Sequence, residues 1–266
     1  MHMFSIITIC FNSEKTIERT IKSVLSQTCK DYEYIIVDGA SKDGTLDIVK
    51  KYEPLFEGRM KWKSEPDNGI YNAMNKGILR ATGDIIGIVN SDDWLEPDAL
   101  SILNHFFINN PGNEKAILTG EVLFHYKDGS SQHYPTSRER YEHFSQNYRM
   151  GLNHPATFVP KCIYDKIGLF DERFKLYADA DFILKCYESK VSVIFINRVL
   201  SNMSDGGLSN KISKVMLKDS LLKIKLHAKT PFEKWLRYIQ CYRIWIIKRF
   251  IPKWLVKRYR VKCNKK

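Results

Sequence analysis

The chain has 266 residues, of which 44% are hydrophobic and 27% charged, a balance that excludes disordered and fibrous proteins and is typical of a soluble globular one. Its six cysteines show no Cys-x-x-Cys spacing, which excludes an obvious zinc knuckle or redox pair and favours a reducing, cytosolic compartment. The net charge of +12 comes from residues 211–266, which contain 18 Lys or Arg and two acidic residues. Residues 1–210 contain 24 Lys or Arg and 28 Asp or Glu. A basic tail on a mildly acidic body argues against a nucleic-acid partner.

Strands and helices alternate in the first ninety residues. Short apolar, β-branched runs predict strands at 4–9, 34–37, 60–63 and 84–89. Apolar residues at helical spacing predict one helix that follows Asn12-Ser13 and another that begins near Ile70. This alternation predicts an α/β fold with a mostly parallel, Rossmann-like sheet flanked by helices, in which ligands bind beyond the carboxyl ends of the strands.

The second half of the chain is less regular. A helix is predicted over 97–107, and strands are predicted at 116–125 and 191–196. The polar, turn-rich residues 125–137 predict a surface loop. From residue 211 the composition changes to a basic, aromatic-rich tail.

Acidic residues stand where several predicted elements end or begin. Asp92 and Asp93 follow the fourth strand, where paired carboxylates can hold a hard divalent cation or can cap the next helix. Asp38 ends the second strand and can accept hydrogen bonds from a nucleobase or a ribose, or can form an Asx turn. Asp179 and Asp181 precede a predicted helix, where a carboxylate can act as a general base or as a cap.

Motifs along the chain resemble those of glycosyltransferase family 2, in the order typical of that family. They are Ile-Ile-Thr-Ile-Cys-Phe-Asn (6–12), Ser-Val-Leu-Ser-Gln-Thr (23–28), Val-Asp-Gly-Ala-Ser-Lys-Asp-Gly-Thr (37–45), Glu-Pro-Asp-Asn-Gly-Ile-Tyr-Asn-Ala-Met-Asn-Lys-Gly-Ile (65–78), Gly-Asp-Ile-Ile-Gly-Ile-Val-Asn-Ser-Asp-Asp-Trp (83–94), His-Pro-Ala-Thr-Phe (154–158), Gly-Leu-Phe-Asp-Glu (168–172), Ala-Asp-Ala-Asp-Phe (178–182) and Gly-Gly-Leu-Ser (206–209). The resemblance covers residues 4–210 and implies the GT-A fold.

The resemblance also implies a nucleotide-sugar site in the first half of the chain. It implies that Phe11 and Asp38 contact the base of the nucleotide, with uridine expected, and that the loop of Asp67 closes on the same nucleotide. Asp92 and Asp93 take the place of the family's D-x-D-type motif, which binds Mn²⁺ or Mg²⁺ bridged to the diphosphate of the nucleotide-sugar.

Three points about the site residues remain open at this stage. The first position of the metal motif is Asn90, so metal binding has to depend on the two following aspartates and the phosphates. Asp179 aligns best with the family's catalytic base, and Asp181 is the alternative. His154 either touches the acceptor or the diphosphate or has a structural role.

We divide the chain into a GT-A catalytic domain (1–210) and a basic amphipathic helical tail (211–266). Within the first domain, residues 1–97 form the nucleotide-sugar half and residues 98–210 the acceptor half. In the tail, apolar residues recur at spacings of three and four among basic ones: Trp235, Ile239, Tyr242, Ile246 and Phe250. We expect residues 232–266 to bind a membrane surface; the alternative is packing against the catalytic domain or a second subunit in a homodimer.

Together these features predict an inverting, non-processive glycosyltransferase that moves a sugar from a nucleotide-diphosphate sugar, a UDP-sugar by expectation. The expected acceptor is a glycan or a lipid-linked molecule in surface polysaccharide biosynthesis. The expected location is cytoplasmic, peripheral on the inner face of the cell membrane. The alternatives are a sugar-phosphate nucleotidyltransferase, which needs a glycine-rich loop that is missing after the first strand, and a non-enzymatic membrane adaptor.

Overall fold

The computed structural model describes residues 3–205 and 214–250, and the side chains as far as residue 246. The described residues form two compact units. The first unit comprises 3–173 and 178–205, and the second comprises 174–177 and 214–250. The 206–209 motif, the Phe250 side chain and the remainder of the basic tail lie outside this description.

The first half of the chain alternates strands and helices as predicted. The elements are β1 (Phe4–Cys10), α1 (Ile17–Leu25), β2 (Tyr32–Asp38), α2 (Thr45–Tyr52), a 3-10 turn (Glu53–Phe56), β3 (Met60–Ser64), α3 (Ile70–Arg80) and β4 (Ile85–Ile88). The strands β3, β2, β1 and β4 are neighbours in that order, and all three pairs are parallel. The predicted parallel α/β arrangement is therefore confirmed here.

The second half extends the same sheet with mixed pairing. Its elements are β5 (Trp94–Leu95), α4 (Ala99–Asn109), β6 (Ile117–His125), β7 (Ser131–Tyr134), α5 (Arg138–Gln146), a 3-10 turn (His154–Ala156), β8 (Thr157–Pro160), α6 (Lys161–Ile167), α7 (Ala178–Glu188) and β9 (Val193–Ser204). β8 joins β4 and β6 by antiparallel pairing, and β9 lies parallel to β6 and antiparallel to β5. Within the described residues this gives one nine-stranded sheet.

The prediction of a loop throughout 125–137 is wrong in part. Residues Ser131–Tyr134 form β7, which pairs with the outer half of β6 in an antiparallel hairpin. The strand alternates exposed and half-buried residues, so its polar composition is that of a sheet edge open to water.

Every residue of β1 and β2 is buried, because helices cover both faces of this part of the sheet. α3 packs closely on β1 at Gly77, where an added Cβ would lie 2.5 Å from Ile7 Cγ2. β1, β2 and β4 point the same way, so the loops that follow them meet at one edge of the sheet. That edge is where the sequence places the candidate site residues.

The second unit contains the helices α8 (Lys214–His227) and α9 (Pro231–Phe250). The apolar residues predicted to form a stripe on α9 are exposed: Trp235, Ile239, Tyr242 and Ile246, joined by Phe232, Leu236 and Ile244. Among the described residues, no helix combines the length and the apolar character needed to span a membrane.

Candidate active site

Two loops interlock at the carboxyl edge of the sheet. The loop after β1 holds Asn12 at a left-handed φ of 49°, which Asn tolerates better than most residues. The Asn12 side-chain oxygen accepts a hydrogen bond from the Lys42 backbone N–H, and the Asn12 N–H donates to Ser41 Oγ. The loops after β1 and β2 are therefore fixed relative to each other by protein groups alone.

Phe11, Gly39 and Asp67 meet beside these loops. Phe11 is 62% exposed, so the face of its ring is open to a ligand. A Cβ added to Gly39 would lie 2.5 Å from Asp67 Oδ2 and 3.3 Å from the Phe11 ring, so a larger residue there would displace the Asp67 carboxylate. Asp67 also accepts a hydrogen bond of 2.8 Å from the Gly69 N–H. An exposed ring beside a carboxylate suits a nucleobase, which stacks on aromatic faces and donates N–H groups.

The Asp38 carboxylate lies at the end of β2 and is completely buried. It accepts hydrogen bonds from the Ser41 N–H at 2.9 Å, from the Ser41 hydroxyl and from Ser64 Oγ at 2.7 Å. Cys10 Sγ lies 3.5 Å away on β1, and burial followed by the Asp38 charge raises the pKa of its thiol, which remains a donor. The structure therefore places Asp38 inside the wall of the site, where it braces the surrounding loops. Its contact with a nucleobase stays a prediction.

The loop after β4 carries carboxylates in a different state. Asp93 is 1% exposed, and burial, followed by the charge of Asp92, raises its pKa to about 8. Burial also raises the pKa of Asp92. Asn90 Nδ2 donates to Asp93 Oδ2 over 3.2 Å, but Asp93 Oδ1 and Asn90 Oδ1 are buried without a hydrogen-bond partner in the described structure. Two oxygen acceptors are thus left unsatisfied.

The backbone of this acidic loop is held firmly. Thr20 Oγ1 donates to the Asp93 carbonyl over 2.6 Å, and the Asp92 carbonyl accepts from Arg19 over 2.7 Å and from Ser204 over 2.8 Å. The Arg19 guanidinium also lies 3.6 Å from the centre of the Trp94 ring. The loop therefore keeps its shape despite its unsatisfied oxygens.

These residues fit a divalent cation. Carboxylate and amide oxygens are the ligands that Mn²⁺ and Mg²⁺ prefer, and unpartnered oxygens in a rigid loop supply that donor set. Within residues 3–205 and 214–250, no three His, Cys, Asp or Glu side chains cluster closely enough to hold a metal by themselves. Asp92, Asp93 and Asn90 would therefore need further oxygen ligands from a bound phosphate and from water.

Asp179 lies in the first turn of α7 and is half-buried. Its Oδ1 accepts a hydrogen bond from the Tyr71 hydroxyl on α3 over 3.1 Å, and another from the Ala180 N–H. Burial, then the charge of Asp179, raises the pKa of Tyr71, so the phenol stays protonated and donates. Asp179 is thus oriented from one side by a neutral donor.

A small cavity of about 20 Å³ lies beside Asp179. Its lining is mostly apolar and includes Ile88, Met150, Val159, Tyr164, Phe170, Phe182 and Ile183, together with Thr157 and His154. Burial lowers the pKa of His154, and its Nε2 is buried without a hydrogen-bond partner among the described residues. Ile88 ends β4, and the acidic loop begins two residues later, so the cavity adjoins the base of that loop.

Asp181 lies in a different environment from Asp179. It is completely buried, and its carboxylate forms an ion pair of 2.7 Å with Lys185, one turn later on α7. It is absent from the lining of the cavity that Asp179 faces. The two aspartates, which the sequence does not distinguish, therefore differ in access and in partners.

Two contributors to the site were not predicted. Tyr71 reaches Asp179 across 108 positions of sequence, and Arg19 reaches the acidic loop across 73. Tyr71 belongs to the 65–78 motif, which marks its segment but not its partner. Arg19 stands on α1 among other charged residues, where no sequence signal separates it from an ordinary surface arginine.

Sequence comparisons find a matching family model and curated relatives of this chain. Residues 5–167 match the sequence model of the family described as Glycosyl transferase family 2. The PGL/p-HBAD biosynthesis glycosyltransferase of Mycobacterium bovis is 29% identical over 216 residues, which are 79% of this chain and 80% of that protein.

Solved structures show the same fold. S. aureus TarS 1-349 in complex with UDP-GlcNAc matches with a TM-score of 0.67 and 20% identity, over 90% of this chain and 71% of that one. The chain spans 41% of the longer TarS structure. The mannosyltransferase PcManGT from Pyrobaculum calidifontis, in complex with GDP-Man and Mn²⁺, matches with a TM-score of 0.63 and 17% identity, over 91% of this chain and 69% of that one.

Proposed function

This chain belongs to glycosyltransferase family 2, and from that premise we propose that it transfers a hexose from a UDP-sugar to a hydroxyl group, with inversion at the anomeric carbon. The observation that carries this proposal is the Asp179 carboxylate, which faces a cavity and is oriented by Tyr71. Within the enzyme, residues 1–210 are proposed as the catalytic domain, with its donor half in 1–97 and its acceptor half in 98–210.

The proposed reaction is a single displacement. The acceptor oxygen attacks the anomeric carbon from the face opposite the nucleotide, and the bond from that carbon to the diphosphate oxygen breaks with its electron pair. The acceptor proton passes to Asp179. Proton transfer to a well-placed general base accelerates such a reaction by about 10²–10⁴-fold. One displacement inverts the anomeric configuration, and no covalent intermediate with the enzyme forms.

On the donor side, we propose that Phe11, Asp67 and the loop braced by Asp38 hold the nucleoside. Asp92 and Asp93, with Asn90, would hold Mn²⁺ or Mg²⁺ against the diphosphate, and a bound cation supplies Lewis-acid neutralisation of the charge on the leaving group. Support comes from the unsatisfied oxygens of the acidic loop and from the solved neighbour that contains GDP-Man and Mn²⁺.

The first test is a donor screen. UDP-GlcNAc and GDP-Man, which solved neighbours contain, serve as probes with Mn²⁺, and release of the nucleoside diphosphate is measured. We expect consumption of the uridine nucleotide and a product whose anomeric configuration, read by NMR, is opposite to that of the donor. Retention of configuration would contradict the single displacement.

The second test identifies the base. Asp179→Asn keeps the shape but cannot accept a proton at neutral pH, so kcat should fall by about 10²–10⁴-fold while donor affinity changes little. Asp181→Asn is the matched control. It should lower the free energy of unfolding, because Lys185 loses its buried partner, and leave kcat within a few-fold. The reverse pattern would assign the base to Asp181.

We also propose that α9 attaches the enzyme to the inner face of the cell membrane, close to a glycan or lipid-linked acceptor for surface polysaccharide synthesis. Phe232, Trp235 and Ile239 are 68%, 58% and 39% exposed, so the apolar face of α9 is open. Basic residues such as Lys234 and Arg243 lie among them, and residues 211–266 carry 18 Lys or Arg. Exposed aromatic groups with surrounding positive charge fit an anionic lipid surface.

Flotation with vesicles tests this attachment. Full-length protein should bind vesicles that contain 30% phosphatidylglycerol more tightly than pure phosphatidylcholine vesicles, and salt should weaken binding since exposed charges are screened over about 8 Å at physiological ionic strength. Trp235→Ser combined with Ile239→Ser should release the protein. Leu79→Ser, which removes a 72% exposed apolar residue from α3, should not. Stable dimers of unbound wild type that the double variant dissociates would assign this face to a homodimer instead.

A further inference from the structure

Two charged residues of α8 are buried and point to the same short segment of chain. Asp219 and Lys223 are 3% and 6% exposed and stand one helical turn apart. Asp219 Oδ2 accepts hydrogen bonds from three consecutive backbone N–H groups, those of Lys175 at 2.9 Å, Leu176 at 2.6 Å and Tyr177 at 3.2 Å. Lys223 Nζ lies 4.8 Å from the centre of the Tyr177 ring.

This arrangement fixes the backbone of residues 174–177. Hydrogen bonds from N–H groups to a charged carboxylate are stronger than those to neutral acceptors, and three successive N–H groups that converge on one oxygen define the local conformation. Without Asp219, three part-buried backbone donors lose their shared acceptor, and the segment loses the group that orders it.

The segment held by Asp219 directly precedes the helix that carries Asp179. Tyr177 is followed directly by α7, whose second residue is Asp179. The Asp179 carboxylate depends on the placement of that first turn for its 3.1 Å hydrogen bond with Tyr71. A misplacement of about 1 Å in a catalytic group can cost on the order of 100-fold in rate.

We infer that Asp219 is a positioning residue for the general base: by ordering residues 175–177 it sets the start of α7 and therefore the location of the Asp179 carboxylate. This inference rests on the proposed function of Asp179. It gives α8 a part in turnover that is separate from the proposed attachment of α9 to a membrane.

Kinetics of full-length variants test the inference. Asp219→Ala should lower kcat for the consumed probe donor, UDP-GlcNAc or GDP-Man, about 10- to 100-fold, whereas its KM and the Kd for UDP change less than twofold. Asp219→Asn keeps one oxygen acceptor and should recover part of the lost rate. Asp128→Ala is the control, because Asp128 also accepts a backbone N–H bond, from Ser130, in the exposed turn between β6 and β7. Its kcat should be unchanged.

Amide hydrogen exchange gives a readout that does not depend on activity. In Asp219→Asn, the N–H groups of residues 175–177 should exchange at least 10-fold faster than in wild type, while the β1 and β2 amides keep their protection. If these three amides exchange at the wild-type rate and kcat is also at the wild-type level, Asp219 does not position the segment, and the inference is wrong.

A double variant separates positioning from a general loss of stability. In the Asp179→Asn background the base is already absent, so adding Asp219→Asn should lower kcat less than twofold further. If Asp219→Asn lowers kcat in the Asp179→Asn background by the same factor as in wild type, the positioning role is wrong. If Asp179→Asn alone leaves kcat unchanged, the assignment of the base fails, independently of Asp219. If Asp179→Asn abolishes turnover while Asp219→Asn and Asp219→Ala have none of the expected effect, only the positioning role fails.

Discussion

The carboxylates on β2 and those in the loop after β4 belong to strands that flank β1 in the same sheet, yet their environments are opposite. Glu33 and Asp38 on β2 are buried and receive hydrogen bonds from neighbouring protein groups. Asp93 is buried to the same degree but keeps one oxygen without a partner, beside the charge of Asp92. Burial removes the carboxylates of both regions from water, which costs solvation free energy. Only on β2 do hydrogen bonds from the protein offset that cost.

The contrast distinguishes carboxylates that stabilise the fold from carboxylates that we propose bind a cation. A buried charge that its own protein satisfies braces the surrounding loops, as Asp38 does with Ser41 and Ser64. A buried carboxyl with an unpartnered oxygen and a raised pKa, such as Asp93, is expected where a cation completes the site during function. Substitutions of the β2 carboxylates should therefore lower stability, whereas substitutions in the loop after β4 should lower metal-dependent activity.

The largest effect is expected in the acidic loop. Asp93→Ala should reduce metal-stimulated turnover by about 100-fold or more, because a cation at the leaving diphosphate is worth several kcal/mol. The measurement is release of nucleoside diphosphate across a Mn²⁺ titration, with Asp47→Ala on the exposed face of α2 as the control. Wild-type turnover in excess chelator, equal to that with Mn²⁺, would refute the metal role.

Acid unfolding tests how much the hydrogen bonds to the β2 carboxylate Glu33 stabilise the fold. Burial alone would raise the pKa of Glu33, but hydrogen bonds from Lys61, Thr82 and Ser5 outweigh it and lower the pKa to about 2. A depressed pKa contributes stability above the ordinary carboxyl range, and that stability is lost as the pH falls from about 4.5 towards 2. At about 1.4 kcal/mol per pKa unit, the loss is at most about 3 kcal/mol, and solvent screening of the exposed Lys61 partner makes it smaller.

Glu33→Gln should therefore flatten the decline in the free energy of unfolding between pH 4.5 and 2, measured by urea denaturation. The exposed Glu57→Gln should leave the decline at its wild-type slope. An acid profile of Glu33→Gln parallel to that of wild type would show that the bonds to Glu33 add no net stability.

A smaller effect is expected for Asp38. Asp38→Asn turns one acceptor oxygen into a donor that faces Ser41 and Ser64, and this should cost about 1–3 kcal/mol of stability. Asp93→Asn in metal-free protein should cost less, since that carboxyl has few bonds to lose. Denaturant titrations in chelator compare the two. Equal losses of stability would remove the distinction between the regions.

The smallest effect concerns the nucleobase. Phe11→Ala should weaken UDP binding about 5- to 10-fold, as expected for loss of one stacking contact. Binding of inorganic diphosphate with Mn²⁺ should be unchanged, because that probe has no base. If both ligands weaken equally, Phe11 supports the loop and does not stack on the base.

Much of the first unit could be predicted from the sequence, because its buried strands are continuous apolar runs. The run at 4–9 became β1 and the run at 34–37 became the centre of β2. β7 was missed because an edge strand open to water needs no apolar pattern, and Ser131–Tyr134 has none. The tail was predicted to be helical, and its predicted apolar stripe lies within α9.

The candidate site was predictable only as a set of residues. The motifs located Asp38, Asp93 and Asp179, but which of them is satisfied, unsatisfied or oriented depends on partners far away in sequence. Tyr71 donates to Asp179, and Asp219 accepts from the backbone of residues 175–177. Both lie in segments whose own patterns give no hint of these contacts. Long-range pairing of this kind is fixed by the fold and not by local sequence.

Calorimetric titration of UDP in the presence and absence of Mn²⁺, at pH 7 in two buffers of different ionisation enthalpy, tests the central claim most directly. Wild type should bind UDP at least tenfold more tightly with Mn²⁺ and release protons as it does so, because a metal ligand has to be deprotonated and the pKa of Asp93 is about 8 without a metal. Asp93→Asn should show neither the gain in affinity nor the proton release. Equal UDP affinity with and without Mn²⁺ in wild type would contradict the claim that the acidic loop is completed by a cation.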